Sequence, residues 1–362
     1  MSLIIKNSNG GGIALDSTTT SNETLTLPTG GGTLADTGLT NALTTRVNAV
    51  GGRKNLIING GMTVKQRGDS HSTEGYGSLD RYTIGLSGGS ATMSQEDLTL
   101  GQSDIPSRFR HYMKLNCTTG NNNCGFYHHI EYPSELEGAY TLSFYAKGTN
   151  PAAGNFALSV QSSYGSGGSG GVNPYDDTLT ITSSWQRFTI AVTFPSLTGK
   201  TVNDSDGSTA INVRQGGSDT GTAAWALDIT GLQLELGSVA TDFEHRSYGE
   251  ELALCQRYYW KDISAIWRSV ILDGGGAYPT AFVTHPVPMR ATPTGSFPTA
   301  ASLYYNNGST TANFTPAASS ITTYGDTTNG TIRFNAISNG VGATHGAKVG
   351  MWNVALAFDA EL

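Results

Sequence analysis

The chain has 362 residues, 47 of them glycine, with 37% apolar and 14% charged side chains and a formal net charge of −7. A length of this order suits two or three domains. The acidic balance without a basic stripe argues against a nucleic-acid binder. No apolar run is long enough to span a bilayer. Three cysteines do not make a disulfide framework.

Residues 1–35 hold short apolar runs (LIIKN, GIAL, LTLP, GTLA) set in Gly and Thr. None buries enough surface to fold alone, so these strands are expected to need partners from other chains. The opening MSLIIKNSNG has too short an apolar run for a secretory signal, so synthesis in a cytoplasm is expected. Residues 36–50 place Leu39, Leu43, Val47 and Val50 on one narrow stripe. That spacing predicts a short helix, marginal by itself and better explained in a three-stranded bundle. Gly51 and Gly52 then break it and mark a boundary at 52.

Residues 53–247 read as one antiparallel β-sandwich. Strand-like runs such as DRYTIGL, RHYMKLNC, CGFYHHIEY, YTLSFYAKG, NFALSVQ, WQRFTIAVTF and AWALDITGLQLEL recur between turn clusters. No βαβ alternation appears, which excludes a doubly wound sheet or an α/β barrel. Leu232, Leu234 and Leu236 alternate with Gln233 and Glu235, predicting one apolar and one polar strand face. Cys117 and Cys124 are expected to face inward across a hairpin as small core residues, a disulfide between them being the lesser reading. Trp185 and Trp225 are expected in the core.

Residues 248–262 form a connecting helix. Ser247 and Glu250 have capping-box spacing, and Leu252, Cys255 and Tyr259 share a face. Residues 263–362 form a distal β-domain. Its last run, with Val354, Leu356 and Phe358 alternating, is expected to end at a tip.

Five segments appear in order: RKNLIINGGMTVKQRG, LDRYTI, YTLSFYAKG, SWQRFTIAVTFP and ITGLQLELGSVATDFEHRSYGEELALCQRYYWK. Together they resemble bacteriophage tail-fibre and virion-appendage proteins that carry a carbohydrate-binding-module-like jelly roll, over residues 53–261. LTLPTGGGTLA resembles an N-terminal phrase of the same proteins. The expected fold is therefore all-β: an antiparallel jelly-roll sandwich, a distal β-domain and a short N-terminal β/helical segment for trimerisation or anchoring. The resemblance implies a homotrimer in the virion, made in the host cytoplasm. It would attach to other virion proteins by its N-terminus and meet host-surface polysaccharide with its β-domains, without nucleic acid or membrane insertion. The rival readings are a purely structural appendage, a glycan-degrading tailspike and a secreted bacterial module.

Most candidate chemistry fails on spacing. Gly167, Ser169 and Gly171 match a nucleophile-elbow pattern formally, but no helix follows, so a flexible surface loop is expected. His128 and His129 are strand neighbours on opposite faces and cannot easily share a metal ion. The run from Asn203 to Ser208 lacks the glycine and bidentate glutamate of a calcium loop, although loop oxygens there, with Asp176 and Asp177, leave a structural calcium open. Otherwise no cofactor is expected. Glu131, Glu135 and Glu137 read as a solvated acidic turn, not a facing acid/base pair, and no catalytic residue is assigned. Sugar binding needs exposed rings beside amides and carboxylates. The candidates are Tyr164, Asn173, Tyr175 and Asp176 around the Gly/Ser loop, and Tyr304 and Tyr305 in the distal region.

Overall fold

The computed structural model describes residues 3–6, 12–15 and 54–262 apart from positions 100, 122, 152–154 and 217–220. Beyond these it describes 271–272, 279–296 and strand segments between 302 and 362. The chain divides into two units, Met1–Gly51 and Gly52–Leu362. In the first, β1 (Leu3–Lys6) and β2 (Gly12–Leu15) form an antiparallel hairpin. The helix expected over 36–50 lies outside the described residues.

The second unit opens with a jelly-roll sandwich of two antiparallel six-stranded sheets. Its strands are β3 (Ser70–His71), β4 (Gly75–Tyr76), β5 (Tyr82–Gly85), β6 (Ser90–Asp97), β7 (His111–Thr119) and β8 (Gly125–Ile130). They continue as β9 (Gly138–Thr149), β10 (Phe156–Ser163), β11 (Val172–Leu179), β12 (Gln186–Phe194), β13 (Ser208–Gln215) and β14 (Trp225–Leu236). One sheet runs β11-β10-β13-β8-β5-β4 and the other β12-β9-β14-β7-β6-β3. Alternation decides which side chains meet between them. From β9 come Leu142 and Phe144, from β10 Leu158 and Val160, and from β13 Ile211 and Val213, all buried in one core. Burying each side chain of this size contributes roughly 1.5–3 kcal/mol.

Cys117 and Cys124 are free and buried, with their sulfurs 4.0 Å apart. β7 and β8 follow one another but lie in different sheets, so the thiols meet between the layers rather than across a hairpin. Trp225 is in the core as expected, its indole N–H donating to Gln215 Oε1. Trp185 is not. It packs with Leu98, Ile105 and Phe109, in a cluster separate from that core.

The LQLEL run departs from its expected pattern. Leu232 and Leu234 enter the core, whereas Leu236 is exposed. Gln233 and Glu235 are buried as well, because the segment after β14 folds back over them. Thr241 donates its N–H and hydroxyl to the Glu235 carboxylate, and Glu244 N–H donates to Gln233 Oε1. Asn55 ties the start of the sandwich to the same place, donating to Leu232 O and accepting from Leu234 N–H. Arg246 then donates to Asn55 O and Ile57 O. The Gln233 amide, the Glu235 carboxylate and the Asn55 amide are buried because each finds partners here.

The helix α1 (Tyr248–Gln256) starts with the expected capping box at Ser247 and Glu250. Its buried side chains are Glu251 and Cys255, not an apolar row from Leu252. Glu251 accepts from Asn59 N–H and pairs with Arg246, which explains a carboxylate on the inner face. The strand β15 (Tyr259–Asp262) follows at once and pairs with the last strand, Leu356–Asp359. The expected tip is therefore corrected: the end of the chain returns to the sandwich. Glu361 pairs with Arg81 and Arg67, and Arg67 also meets Asp359 at 2.9 Å. The Arg81 guanidinium is buried, lies 3.4 Å over the Tyr258 ring and donates to His129 O.

Candidate functional site

Register across the β11–β4 sheet aligns side chains that are far apart in sequence. Thr83 sits opposite Tyr127, Tyr127 opposite Asn212, Asn212 opposite Ser159, and Ser159 opposite Asp176. Opposed residues in a ladder share a face. Since Ile84, Phe126, Val213, Leu158 and Val160 fill the core, this row lies on the outer face. The next row on that face carries His129, Ala210 and Gln161, and on the other side Gly125, Arg214 and Ala157.

The middle of the face is hydrogen-bonded sideways. Arg214 Nη1 donates to Asn212 Oδ1 at 2.7 Å and Nε to Asn123 Oδ1 at 2.7 Å, while Asn212 donates to Ser159 Oγ at 2.7 Å. Arg214 also reaches Ser159 Oγ at 3.3 Å, so the guanidinium is held in place over the small residues of β10. Tyr127 remains part-exposed. A Cβ on Gly85 would stand 2.7 Å from Tyr127 Cε2, so glycine there lets the ring lie down across β5. Burial pushes the Tyr127 phenol up. Burial, helped by the charge of Arg81, pushes His129 down to about 4, which keeps that imidazole neutral. Gln161 and Asp176 make no side-chain hydrogen bond within the described residues, so their polar atoms are available at the rim.

The structure sorts the residues singled out from sequence. Asp176 joins the row, and Asn173 is exposed in the bulge of β11 opposite Gln161. Tyr175 pairs with Val160 and turns toward the core edge, leaving it half-buried. Tyr164 is corrected: it is 2% exposed, so its ring has no free face for a sugar. Tyr304 and Tyr305 lie on the strand Ser302–Asn306, but their side chains are outside the described residues. Tyr127, Asn212 and Arg214 were missed. Their alignment depends on register between strands distant in the chain, for which the sequence carries no local signal.

The loops are tighter than expected. Asp206 accepts from Ser166 and Asp204 from Ser134, and Ser169 N–H bonds Thr201 O, which fixes the Gly/Ser loop expected to be flexible. Among the described residues no three of His, Cys, Asp and Glu gather as metal ligands. Glu131 is not on a solvated turn. It pairs with Arg257 at 3.1 Å at the end of β8. His128 is fully buried against Tyr82, bonding Ile58 O at 2.9 Å.

No family model matches the chain, and no curated protein does. Solved structures do. A CBM4 protein is 18% identical, with 49% of this chain and 98% of its own aligned at a TM-score of 0.30. A family 11 carbohydrate-binding module from Clostridium thermocellum, solved with a mixed-linked tetrasaccharide, is 13% identical and covers 48% and 98% at 0.26. The enzymatically active domain of bacteriophage CBA120 tailspike protein 4 is 13% identical and covers 50% of this chain but 21% of its own, at 0.31. TM-scores this low carry no weight for what this chain binds.

Proposed function

We propose that this protein is a non-catalytic, glycan-binding appendage of a phage particle, whose sandwich holds polysaccharide on the outer face of the β11–β4 sheet. The observation that carries this reading is the row Tyr127, Asn212, Ser159 and Asp176, with Arg214 fixed across it. A half-exposed Tyr127 ring supplies the apolar platform a pyranose needs, and the Gln161 amide and Asp176 carboxylate at the rim supply hydroxyl partners, while Ser159 and Asn212 lie buried beneath Arg214. Such a site binds weakly. Repetition of the chain in a trimer, joined through residues 1–52, would convert low affinity into avidity. This reading needs no cofactor. Sedimentation of the intact chain as a monomer would remove the trimer from it.

Binding of the full chain to an array of bacterial surface polysaccharides tests the site. Tyr127→Ala is expected to lower affinity by about tenfold or more, because stacked rings dominate such contacts. Retention of full binding by a folded Tyr127→Ala chain refutes this placement. Release of reducing ends from any polysaccharide would favour the degrading spike instead.

A further inference from the structure

We propose that the opposite face of the sandwich carries a second site, shaped for the carboxylated ring of an acidic sugar. A cavity of about 300 Å³ opens on the outer side of the β12–β3 sheet, beneath the segment that folds back after β14. That volume is at the small end of ligand pockets and suits one sugar ring rather than a chain.

The cavity is built around a missing side chain. Gly231 sits at the register shift of β14 against β9, with φ +67°. A Cβ there would lie 2.6 Å from Phe109 Cζ and 3.4 Å from Tyr145 Cδ2. Glycine therefore lets the Phe109 ring drop onto the sheet, edge-on to Tyr145 at 5.4 Å between centroids. Phe243 and His245 continue the aromatic wall, 5.1 and 5.2 Å from the Phe109 ring. One side of the cavity is thus an apolar surface of the kind that receives the C–H face of a pyranose.

The polar side is cationic. Arg108 makes no hydrogen bond or ion pair within the described residues. Arg187 gives one N–H to Thr241 O, and its remaining donors are free. Asp242 is the one carboxylate on the lining, so the two guanidiniums outweigh it. Paired guanidinium forks match a carboxylate's two oxygens. At the floor, Ser143 is 3% exposed and its hydroxyl bonds no protein group among the described residues. That oxygen is not sealed off, so it opens to the cavity. Here it is placed to bond a sugar hydroxyl, with the Asp242 carboxylate accepting from another. Burial and Arg108 push the His245 imidazole below its ordinary range, so it acts as a neutral ring.

This site stands on residues separate from the Tyr127 row, and the test keeps the two apart. Calorimetric or NMR titration of the full chain with sodium D-glucuronate should show saturable binding. The methyl ester of glucuronate, glucose and inorganic sulfate should bind much more weakly. Arg108→Ala, at an exposed position without a partner, should keep the fold and lose about tenfold or more in glucuronate affinity. Tyr127→Ala should leave glucuronate binding unchanged while lowering polysaccharide binding. The proposal is overturned if glucuronate does not bind. Equal binding of the neutral ester or of sulfate, or an Arg108→Ala chain of unaltered affinity, overturns it equally.

Discussion

On the β12–β3 face the polar residues of β14 are roofed, whereas on the β11–β4 face those of β8, β10 and β13 are braced by one another and by Asn123. Gln233 and Glu235 take their partners from Thr241, Glu244 and each other, under a segment that closes over them. Ser159, Asn212 and Arg214 form a comparable network, yet part-exposed Arg214 is its lid and Tyr127, Gln161 and Asp176 stay accessible at its edges. The middle of both networks is buried, Ser159 and Asn212 as fully as Gln233 and Glu235, so the faces differ at their edges: only the β11–β4 face leaves a ring, an amide and a carboxylate uncovered beside its network.

The largest effect is expected at the most enclosed pair. Glu361→Ala leaves the buried Arg81 guanidinium without its carboxylate, and breaking a buried pair in this way costs about 3–5 kcal/mol. Urea unfolding should register it as a lowered midpoint. A midpoint close to that of the parent would mean that the clasp contributes little.

The comparison itself is sharpened by one substitution on each face. Glu235→Ala orphans the buried Gln233 amide and the Thr241 donors and should cost roughly 1–3 kcal/mol. Arg214→Ala, on the open face, should cost less than about 1 kcal/mol of stability while weakening polysaccharide binding, since water can replace its bonds. Equal losses in denaturant titrations would break the distinction drawn between the faces.

The smallest effect concerns pH. Folding lowers the His129 pKa from 6.5 to about 4, so as pH falls below 6.5 the unfolded chain takes up the proton first. The stability that depends on neutral His129 is complete above that point and is lost as pH approaches 4. His128 moves the same way, through burial. Asp80 opposes them: burial pushes it up to about 7, so its folded form holds a proton that the unfolded chain has released, and its contribution declines as pH rises from 3.8 to 7. His129→Gln is therefore expected to flatten part of the acid limb of the stability curve between 6.5 and 4. An acid limb of unaltered steepness in thermal melts would show that the group does not titrate on unfolding.

Local chemistry was legible. The capping box at Ser247 involves residues three apart, and it formed as read. The runs YTLSFYAKG and NFALSVQ formed strands as read, because period-two patterning is a property of one strand, and their Leu142, Phe144, Leu158 and Val160 enter the core. What failed was inference about what covers the polar side of a strand. The polar positions of LQLEL suggested water, but their partners arrive with the next turn of chain. Trp185 was expected in the core on the family resemblance, and it packs in a satellite cluster instead. Tyr164 sat beside a Gly/Ser loop that seemed open, until Asp206 and Thr201 were seen to pin it. The proposed row was illegible for the same reason: Tyr127, Ser159 and Asn212 become neighbours only through ladder register.

Arg81 and Glu361 are 280 positions apart. While the ribosome makes the intervening chain, a guanidinium destined for a dry interior has no counter-ion, and β15 lacks its partner strand Leu356–Asp359. Until Glu361 has been made, the start of β5 lacks the carboxylate that neutralises Arg81. Closure then resembles a purse-string drawn from the far end, and such a distant contact makes maturation slow relative to the local hairpins that precede it. A chain cut before Glu361 would keep that cation unneutralised in a dry interior, which burial makes costly.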